Sequence, residues 1–173
     1  GEIFMGLGII FIGMGTMSAA LDSLIEIPWV ANSLLLLGKR TWLGILVGAV
    51  LTALCQSSSA VTSLVVAMGL SEAITLPGAV GVILGANIGT CFTGLIASLR
   101  LSPTAKQASI AQILINISGV LIFLPFITPF ANLVAGTSTV LARQIANAHT
   151  IFNVAVSLIL FPFTHQIAAV AER

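Results

Sequence analysis

The sequence predicts an all-α integral membrane protein, a bundle of transmembrane helices that contains a re-entrant or broken-helix hairpin. Hydrophobic residues make up 58% of the 173 residues and charged residues only 6%, whereas a soluble domain carries about 25% charged residues. A chain with so few charges cannot cover itself with a surface that water solvates. Its apolar runs are long and do not alternate with polar residues, which favours helices over the strands of a membrane barrel.

The net charge and the cysteines exclude several classes of function. A formal net charge of +1 gives no basic surface for a nucleic-acid partner. Cys55 and Cys91 both lie inside apolar runs, so we interpret them as small buried residues and not as a disulfide framework or a metal site. We expect residues 1–173 to form a single membrane domain. Because the sequence starts at Gly1 and shows no signal peptide, we expect it to be part of a longer protein.

Four long apolar runs are predicted as helices. They cover residues 3–21, 77–99, 104–124 and about 140–161, and each is close to the ~20 residues that cross a bilayer. Pro77 and the pair Ser102-Pro103 stand where the start of a helix accepts them. The longest polar connection is predicted at residues 132–139.

The apolar run between Thr41 and Leu70 carries no charge but is interrupted by polar residues. Thr41 is predicted to cap a short helix over 42–54, and a second short run covers 61–70. Two half-length helices that meet at a polar break are typical of a re-entrant hairpin or a discontinuous helix. The alternative is one kinked helix of about 30 residues. Small residues recur every four positions along one face of this run, and the series ends on the glutamine: Gly44, Gly48, Thr52 and Gln56.

The interruption itself is the first candidate site. Residues 56–59 read Gln-Ser-Ser-Ser within an otherwise apolar stretch. Polar groups at membrane depth need partners, and a cluster of them favours a binding site. The alternative is that the serines bond only to carbonyl groups of their own helix.

A second polar stretch interrupts the predicted helix at residues 85–90, which read Gly-Ala-Asn-Ile-Gly-Thr. Gly81, Gly85 and Gly89 repeat every four residues, which indicates close approach of another backbone. Packing explains these glycines well and explains Asn87 and Thr90 less well, so we expect a break in the helix here too. The residues that share one face are Asn87, Thr90, Cys91 and Gly94.

The two later helices carry similar polar stripes, formed by Ser109, Gln112 and Asn116 and by His149, Asn153 and Ser157. The two segments match at an offset of 37 residues, including Asn116 with Asn153 and Pro125 with Pro162. We expect both helices to turn these stripes toward the interior. His149 is interpreted as a supporting or packing residue and His165 as an interfacial one.

The residue types in these stretches suit a cation and an oxyanion together. A monovalent cation takes neutral oxygens, namely hydroxyl, amide and freed backbone carbonyl groups. An oxyanion takes hydroxyl hydrogens and the N–H groups at the start of a helix. Proton-driven transport usually needs a chain of Asp, Glu or His inside the membrane, and only His149 lies well inside a helix. Sodium coupling therefore fits better than proton coupling, and no organic cofactor is predicted.

Three stretches carry a resemblance to a known family. Residues 56–60 (QSSSA), 85–90 (GANIGT) and 149–153 (HTIFN) resemble the bacterial branch of the type II sodium–phosphate cotransporters, and residues 11–15 (FIGMG) are similar to the first helix of that family. The match covers nearly the whole chain. Members of the family carry two motifs of the QSSS kind, whereas this sequence has one.

The resemblance implies sodium-driven transport of inorganic phosphate by a multi-pass protein of the bacterial inner membrane. It implies a fold of two inverted repeats, of which this chain is one, so that the partner is a second repeat in the same polypeptide or a second protomer. Phosphate would be bound by Gln56, Ser57, Ser58 and Ser59. Sodium would be bound by Gln56, Ser58, Ser59, Asn87 and Thr90. The supporting residues would be Gly85, Gly89, Thr93, Gln112, Asn116, His149 and Asn153.

Two rival functions remain open from the residues alone. A serine of residues 57–59 with His149 could form the dyad of an intramembrane hydrolase, but such chemistry asks for one activated serine and not three in a row. The other rival is a scaffold or a channel-like half that transports nothing by itself. The sequence leaves open the stoichiometry, the direction of transport, the membrane orientation, and the choice between phosphate and similar oxyanions.

Overall fold

The chain folds as a set of helices, as the composition predicts. The computed structural model describes residues 40–70, 73–98 and 102–172, together with scattered positions among residues 1–39. The predicted helix over 3–21 therefore lies outside the described residues. The helices are α1 (Thr41–Cys55), α2 (Ser58–Leu70), α3 (Leu76–Ser98), α4 (Pro103–Phe123), α5 (Ile127–Ala135), α6 (Leu141–Leu160) and α7 (Thr164–Ala171).

The run from Thr41 to Leu70 is two helices and not one kinked rod. Helix α1 ends at Cys55, and Gln56 then takes the left-handed conformation, with φ 54° and ψ 26°. Ser57 lies between the helices and α2 begins at Ser58. The predicted break is confirmed at this position. The predicted cap was wrong by one residue, because Arg40 is the extended N-cap residue and makes no side-chain cap bond.

The second predicted break, at residues 85–90, was wrong. Helix α3 runs without interruption from Leu76 to Ser98. The glycines in this stretch all meet the backbone of α1, so they are explained by close packing and not by an unwound turn. No carbonyl is released from the helix ladder here, and the polar groups of this region must act as side chains on an intact helix.

Three stretches of the described chain are long and apolar enough to cross a membrane, namely Leu76–Ile96, Pro103–Ala135 and Leu141–Ala171. The second and third contain 33 and 31 residues, more than the ~20 that one crossing needs. Each contains a short 3-10 turn that includes a proline, at Leu124–Phe126 and at Phe161–Phe163. A proline inside a helix removes one backbone hydrogen bond and clashes with the preceding turn, which accounts for the local loss of α-helical geometry.

The predicted ends of α4 and α6 hold to within one residue. Ser102 accepts a hydrogen bond from the backbone nitrogen of Ala105 at 3.4 Å, with Pro103 next to it, as expected for a capped helix start. The first half of the predicted polar connection, 132–139, was wrong because α5 continues to Ala135. The apolar residues of α5 that pack inward recur every three or four positions, and this pattern overrides the polar character of Asn132.

Helix α3 forms the centre of the described bundle and contacts α1, α2, α4, α5 and α6. Its residues from Gly78 to Asn87 are all buried. A second part of the core is aromatic: the ring of Phe123 stands edge-on to Phe130 and to Phe152, with centroids 5.1 and 5.0 Å apart. Edge-to-face pairs of this kind stabilise a core by about 0.5–1.5 kcal/mol beyond the area they bury.

Helices α1 and α3 lie side by side in the same direction. A Cβ added at Gly44 would lie 3.0 Å from the carbonyl oxygen of Gly78, and one added at Gly89 would lie 2.6 Å from the carbonyl oxygen of Ala49. The contacts therefore advance together along both helices. Since α3 starts beside the start of α1, the intervening α2 must lead the chain back. Leu51 and Cys55 of α1 line one small crevice with Leu64 of α2, as this reversal requires.

Candidate functional site

The gap between α1 and α2 is built around the side chain of Ser57. Its Oγ atom accepts a hydrogen bond from the backbone nitrogen of Ala60 at 3.2 Å, and its carbonyl oxygen accepts from Val61 at 3.3 Å. Ser57 is therefore the N-cap of α2, the role for which serine is among the favoured residues. A second bond of 3.0 Å joins the hydroxyl oxygens of Ser57 and Ser59.

This arrangement leaves several hydrogen-bond donors at the start of α2. The first backbone N–H groups of a helix have no partner within it. Of these groups, the hydroxyl oxygen of Ser57 accepts a bond from the N–H of Ala60. The N–H groups of Ser58 and Ser59 therefore point out of the first turn. Ser57 and Ser58 are half-buried, whereas Gln56 and Ser59 are exposed. The positive end of the helix dipole adds to the attraction of this turn for an anion.

The opposite side of the gap is the carboxyl end of α1. Carbonyl oxygens in the last turn of a helix lack intrahelical partners and carry the negative end of the dipole. The break thus places the donor end of one helix next to the acceptor end of another. No charged side chain occurs between Thr41 and Leu70, so the groups that these two helices bring to the gap are neutral dipoles.

The contact between α1 and α3 fixes where the gap lies relative to the second polar stretch. A Cβ added at Gly89 would lie 2.6 Å from the Cβ atom of Thr52, which is one helical turn before Gln56. Gly85 likewise meets the backbone of α1, at the carbonyl group of Ile45. Both glycines therefore let α3 approach α1 closely, as their spacing predicts; their role as supports of a binding site stays a prediction.

Thr52 is a residue of this region to which the sequence analysis assigned no ligand role. Its side chain is completely buried, and its hydroxyl oxygen has no hydrogen-bond partner among the described residues. A buried hydroxyl without a partner costs about 1–3 kcal/mol in proteins. Its spacing of four residues from Gln56 placed it on the correct face, but only the packing of α3 shows that the hydroxyl is enclosed.

Asn87 and Thr90 lie on the face of α3 that meets α4. The side-chain nitrogen of Asn87 donates to the carbonyl oxygen of Ile83 at 3.0 Å, so its amide oxygen is the atom left to meet another group. The hydroxyl of Thr90 donates to the carbonyl oxygen of Asn87 at 2.7 Å. Asn87 is nearly buried and Thr90 half-buried. Both side chains are fixed by bonds to their own helix.

The polar stripe of α4 turns toward this same part of α3. The side-chain nitrogen of Asn116 donates to the carbonyl oxygen of Asn87 at 3.2 Å and to the hydroxyl of Thr90 at 3.0 Å. Ser109 donates to the carbonyl oxygen of Gly94 at 3.3 Å. Gln112 is exposed, with its amide oxygen next to Gly94. The interior orientation predicted for the first stripe is confirmed for Asn116 and Ser109.

The matching stripe of α6 does not reach this region. Asn153 donates to the carbonyl oxygen of His149, 2.8 Å away in its own helix, and Ser157 donates to Asn153 in the same way at 2.8 Å. The buried face of α6 consists of Ala142, Ile145, Ala148, Phe152 and Val156. His149 and Asn153 stand beside that face, half-buried. The side-chain bonds of Asn153 and Ser157 stay within α6, so they do not show the interior orientation that was expected for this stripe.

Thr93 and the two cysteines are the remaining residues for which the sequence made a prediction. Thr93 is half-buried and donates to the carbonyl oxygen of Thr90 at 2.8 Å, so it adds a further hydroxyl to α3 about one turn beyond Thr90. Cys91 is buried as expected, whereas the expectation was wrong for Cys55, which is exposed at the end of α1. Neither thiol is in a disulfide. Across the described ranges, no group of three His, Cys, Asp or Glu side chains could hold a metal ion.

Comparison with known proteins gives one family match and several relatives. The family model described as Na+/Pi-cotransporter matches residues 25–142. A protein of Bacillus subtilis with the name "Uncharacterized protein YqeW" is 34% identical over 95% of this chain and 54% of its own length. No solved structure matches the chain at a significant level.

Two further relatives carry functional names. The "Putative inorganic phosphate export protein YjbB" of Salmonella typhimurium is 24% identical over 100% of this chain and 32% of its own length. The human "Sodium-dependent phosphate transport protein 2B" is 47% identical over 33% of this chain and 8% of its own length. The chain thus spans about half, or less, of the relatives that it matches.

The apolar helices, the break between α1 and α2 and the family match agree with one another. The names of the relatives describe transport and not enzymatic catalysis, so the serine hydrolase considered from the sequence has no support. This chain is a multi-pass cell-membrane protein that belongs to the Na+/Pi-cotransporter family.

Proposed function

We propose that this chain takes part in sodium-coupled transport of inorganic phosphate, with its binding site at the gap between α1 and α2. The observation that carries the proposal is the helix break itself. Gln56 takes a left-handed conformation and Ser57 caps the next helix. These two features place free backbone donors and hydroxyl groups together in an apolar protein.

Phosphate is the ligand that the start of α2 favours. Its oxygens accept hydrogen bonds from the N–H groups of Ser58 and Ser59 and from serine hydroxyls, and the helix dipole adds to this attraction. Since Ser57 and Ser59 bond to each other, one of the two hydroxyl protons remains available to the anion. Gln56 is exposed beside them and can donate through its side-chain amide.

For sodium we propose the neutral oxygens at the end of α1 together with those on the face of α3 that meets α4. The last carbonyl groups of α1, the amide oxygen of Asn87 and the hydroxyl of Thr90 are neutral oxygens of the kind that a dehydrated monovalent cation takes. The proposal requires the cation to lie near the anion at α2, where each ion offsets the charge of the other. This mutual dependence is the physical basis of coupling in the proposal.

The broken pair is proposed to form a re-entrant hairpin. Helices α1 and α2 contain 15 and 13 residues, which corresponds to about 20 Å of helix each, less than the ~30 Å hydrocarbon core. The same-direction contact of α1 with α3 supports a chain that enters, turns at Gln56 and returns. Lipid-exposed irregular backbone is not tolerated at membrane depth, so the turn must face protein or a water-filled cavity.

The rest of the site is proposed to come from a second, inverted repeat. This chain contains one QSSS sequence and spans 54% of its Bacillus subtilis relative. Gln56 and Ser59 are exposed in the single chain, so a second repeat or a second protomer would complete their surroundings. That partner would also shield the turn from lipid.

The proposal is tested by transport in vesicles that contain the purified full-length protein. We expect radioactive phosphate to cross when a sodium gradient is present and not when choline replaces sodium. Influx and efflux are both measured, because the names of the relatives include export. Gln56→Ala and Ser58→Ala should each lower the sodium-dependent rate at least tenfold, since each removes a ligand or a constraint at the gap.

Ser157→Ala is the matched control. It also removes one hydroxyl from an apolar helix, but Ser157 is exposed, and among the described residues its hydroxyl bonds only to the carbonyl oxygen of Asn153 in its own helix. We expect its rate to stay within twofold of the parent. Full activity in both Gln56→Ala and Ser58→Ala, with normal folding, would contradict the assignment of the site. Phosphate flux that ignores sodium would favour a channel-like function instead.

A further inference from the structure

Building on the proposed function, we propose that the gap between α1 and α2 opens toward the aqueous side on which α3 ends and α4 begins, and that Lys106 at this mouth attracts phosphate through its charge. The proposal adds a direction of entry and one cationic side chain to a site whose own side chains are neutral. Neither the family match nor the names of the relatives assigns a role to Lys106.

The height of the gap follows from the packing of α1 against α3. A Cβ added at Gly81 would lie 2.6 Å from the carbonyl oxygen of Thr41, and one added at Gly89 would lie 2.6 Å from that of Ala49. Both pairs differ by 40 residues, so the two helices keep one register. Continued to Gln56, this register reaches the last turn of α3, where the membrane-crossing stretch of that helix ends. The gap therefore lies near the membrane surface at this end of α3.

Helix α4 runs antiparallel to α3 and begins at the same level. Ser109 donates to the carbonyl oxygen of Gly94, and Asn116, about two turns further along α4, donates to that of Asn87. Lys106 comes nearly one turn before Ser109, so it stands beside the last turn of α3. The gap and Lys106 are therefore at the same height in the bundle.

The gap and Lys106 also lie on neighbouring sides of α3. Helix α1 meets Gly89, and α4 meets Thr90. Successive residues of a helix are roughly 100° apart around its axis, because 3.6 residues make one turn. Lys106 is exposed and makes no ion pair with another described residue. Its flexible four-carbon stem allows the ammonium group to turn toward the mouth of the gap.

Two other described cations, Arg40 and Arg143, lie at the opposite end of the bundle. Arg40 is the N-cap residue of α1, and Arg143 is in the first turn of α6. Helix α2 leads from the gap to this end, where a Cβ added at Gly69 would lie 3.1 Å from the Cα atom of Ala142. The 13 residues of α2 span about 20 Å. This is about twice the Debye length at 0.1 M salt, so neither arginine acts strongly on an anion at the gap.

A structural role does not account for a lysine at this position. Lys106 lies in the first turn of α4, where the helix dipole disfavours a positive charge. A cation near an opening raises the local concentration of anions and the rate at which they enter. Because exposed charges are screened within about 10 Å at 0.1 M salt and within about 3 Å at 1 M, an attracting role predicts a salt-dependent effect on the phosphate KM.

The first experiment measures phosphate transport by the full-length protein in vesicles, with sodium held constant and choline chloride used to raise the ionic strength. For Lys106→Gln we expect a phosphate KM at least threefold above that of the parent at about 0.1 M salt, and a ratio near one at about 1 M, where the charge is screened. The maximal rate should stay within twofold. Lys106→Arg keeps the charge, so its KM should stay within twofold of the parent.

Arg143→Gln is the matched control, because it removes the same charge at the far end of the bundle. Its phosphate KM should stay within twofold of the parent at both ionic strengths. An equal rise in Arg143→Gln would overturn the role of Lys106, as would a rise in Lys106→Gln that persists unchanged at high salt. If Lys106→Gln does not fold, Lys106→Met, which keeps a long stem without the charge, is measured against the same criteria.

The direction of entry is tested by thiol labelling, which needs no transport. Cys55 is exposed at the end of α1 and Cys91 is buried, so a full-length protein with every cysteine except Cys55 replaced by alanine has one reporter at the gap. Lys106→Cys and Arg143→Cys, each made without Cys55, mark the two sides of the membrane. We expect a membrane-impermeant maleimide to label Cys55 from the side that labels Lys106→Cys. Labelling of Cys55 from the other side, or from neither, would overturn the direction of entry.

The outcomes also distinguish this inference from the function on which it rests. Phosphate flux in the parent protein that does not depend on sodium would defeat the proposed function itself. Sodium-dependent flux in the parent, with an unchanged phosphate KM in Lys106→Gln, would defeat the role of Lys106 and leave the proposed function standing.

Discussion

Two glycine contacts in this protein look alike in sequence but differ in what the glycine faces. At the contact of α1 with α3, Gly48 and Gly85 each meet a backbone carbonyl group of the other helix, at Val82 and Ile45. At the contact of α4 with α6, Gly119 meets the end of a side chain, 2.6 Å from a methyl group of Val156. Both methyl groups of Val156 lie within 2.8 Å of that position, and a β-branched side chain in a helix has little freedom to rotate. Relief there needs a small shift of α6, whereas at the contact of α1 with α3 two packed backbones would have to separate.

A repeat of small residues therefore does not by itself predict how much stability a substitution in it would cost. In a membrane, helices associate through close packing and hydrogen bonds because lipid is as apolar as the helix surface. The backbone-to-backbone contact of α1 with α3 therefore sets the position of the gap at Gln56. The contact of α4 with α6 at Gly119 meets side-chain atoms and not backbone.

The largest effect is expected for Gly85→Ala or Gly48→Ala. An added methyl group would overlap a carbonyl group of the facing helix, and forced overpacking costs about 3 kcal/mol or more where nothing can shift. The gain of about 1 kcal/mol from the higher helix propensity of alanine does not offset this. Thermal unfolding in detergent should show a large fall in the midpoint, together with loss of transport. An unchanged midpoint would show that α1 and α3 can separate.

A smaller effect is expected for Gly119→Ala. Overpacking against the side chain of Val156 costs about 1–3 kcal/mol, and about 1 kcal/mol of helix propensity is regained, so the net loss should be about 1 kcal/mol. Combining it with Val156→Ala should cost less than the sum of the single changes, because the second change makes room for the first. Strict additivity in the unfolding midpoints would mean that the two residues do not touch.

Thr52→Val is expected to stabilise the protein, in contrast to the glycine substitutions. The side chain keeps its shape and loses a buried hydroxyl that has no partner among the described residues. The protein should therefore become more stable by about 1 kcal/mol, since an unbonded hydroxyl is unfavourable in an apolar contact. A loss of stability would indicate that the hydroxyl finds a partner in the full-length protein. The sodium dependence of transport, measured in parallel, would show whether that partner is the cation.

The smallest effect is expected for Asn153→Ala. In the described ranges the amide of Asn153 bonds only to the preceding turn of α6, and alanine recovers some helix propensity. The change in the free energy of unfolding should stay within about 0.5 kcal/mol. A loss as large as that of Gly119→Ala would mean that Asn153 contacts a part of the protein outside the described residues.

Much of the fold could be predicted from residue types alone. The break at residues 56–57 follows from polar side chains in an apolar run that is too short to cross twice. The start of α4 follows from Ser102 and Pro103, whose capping chemistry is local. Predictions of this kind succeed because they depend on a few neighbouring residues and on the solvent.

The continuity of α3 could not be predicted in the same way. Gly85 and Gly89 serve equally well as helix breakers and as points of close approach, and the choice depends on whether another backbone lies against them. The contrast between Asn116 and Asn153 has the same origin. The two residues match at an offset of 37, yet within the part of the chain that the structure describes Asn116 bonds to a facing helix and Asn153 bonds within its own.

The sequence alone determined that the chain enters a membrane, that it forms helices, and that the helix is interrupted at residues 56–57. These outcomes depend on transfer free energies and local hydrogen bonds, which each short segment carries in itself. Only the tertiary structure decided that α1 and α3 run in the same direction, that the hydroxyl of Thr52 is enclosed, and which of two equivalent asparagines reaches Thr90. Those outcomes depend on which surfaces meet, and a hydrogen bond or a close contact exists only when both partners are in place.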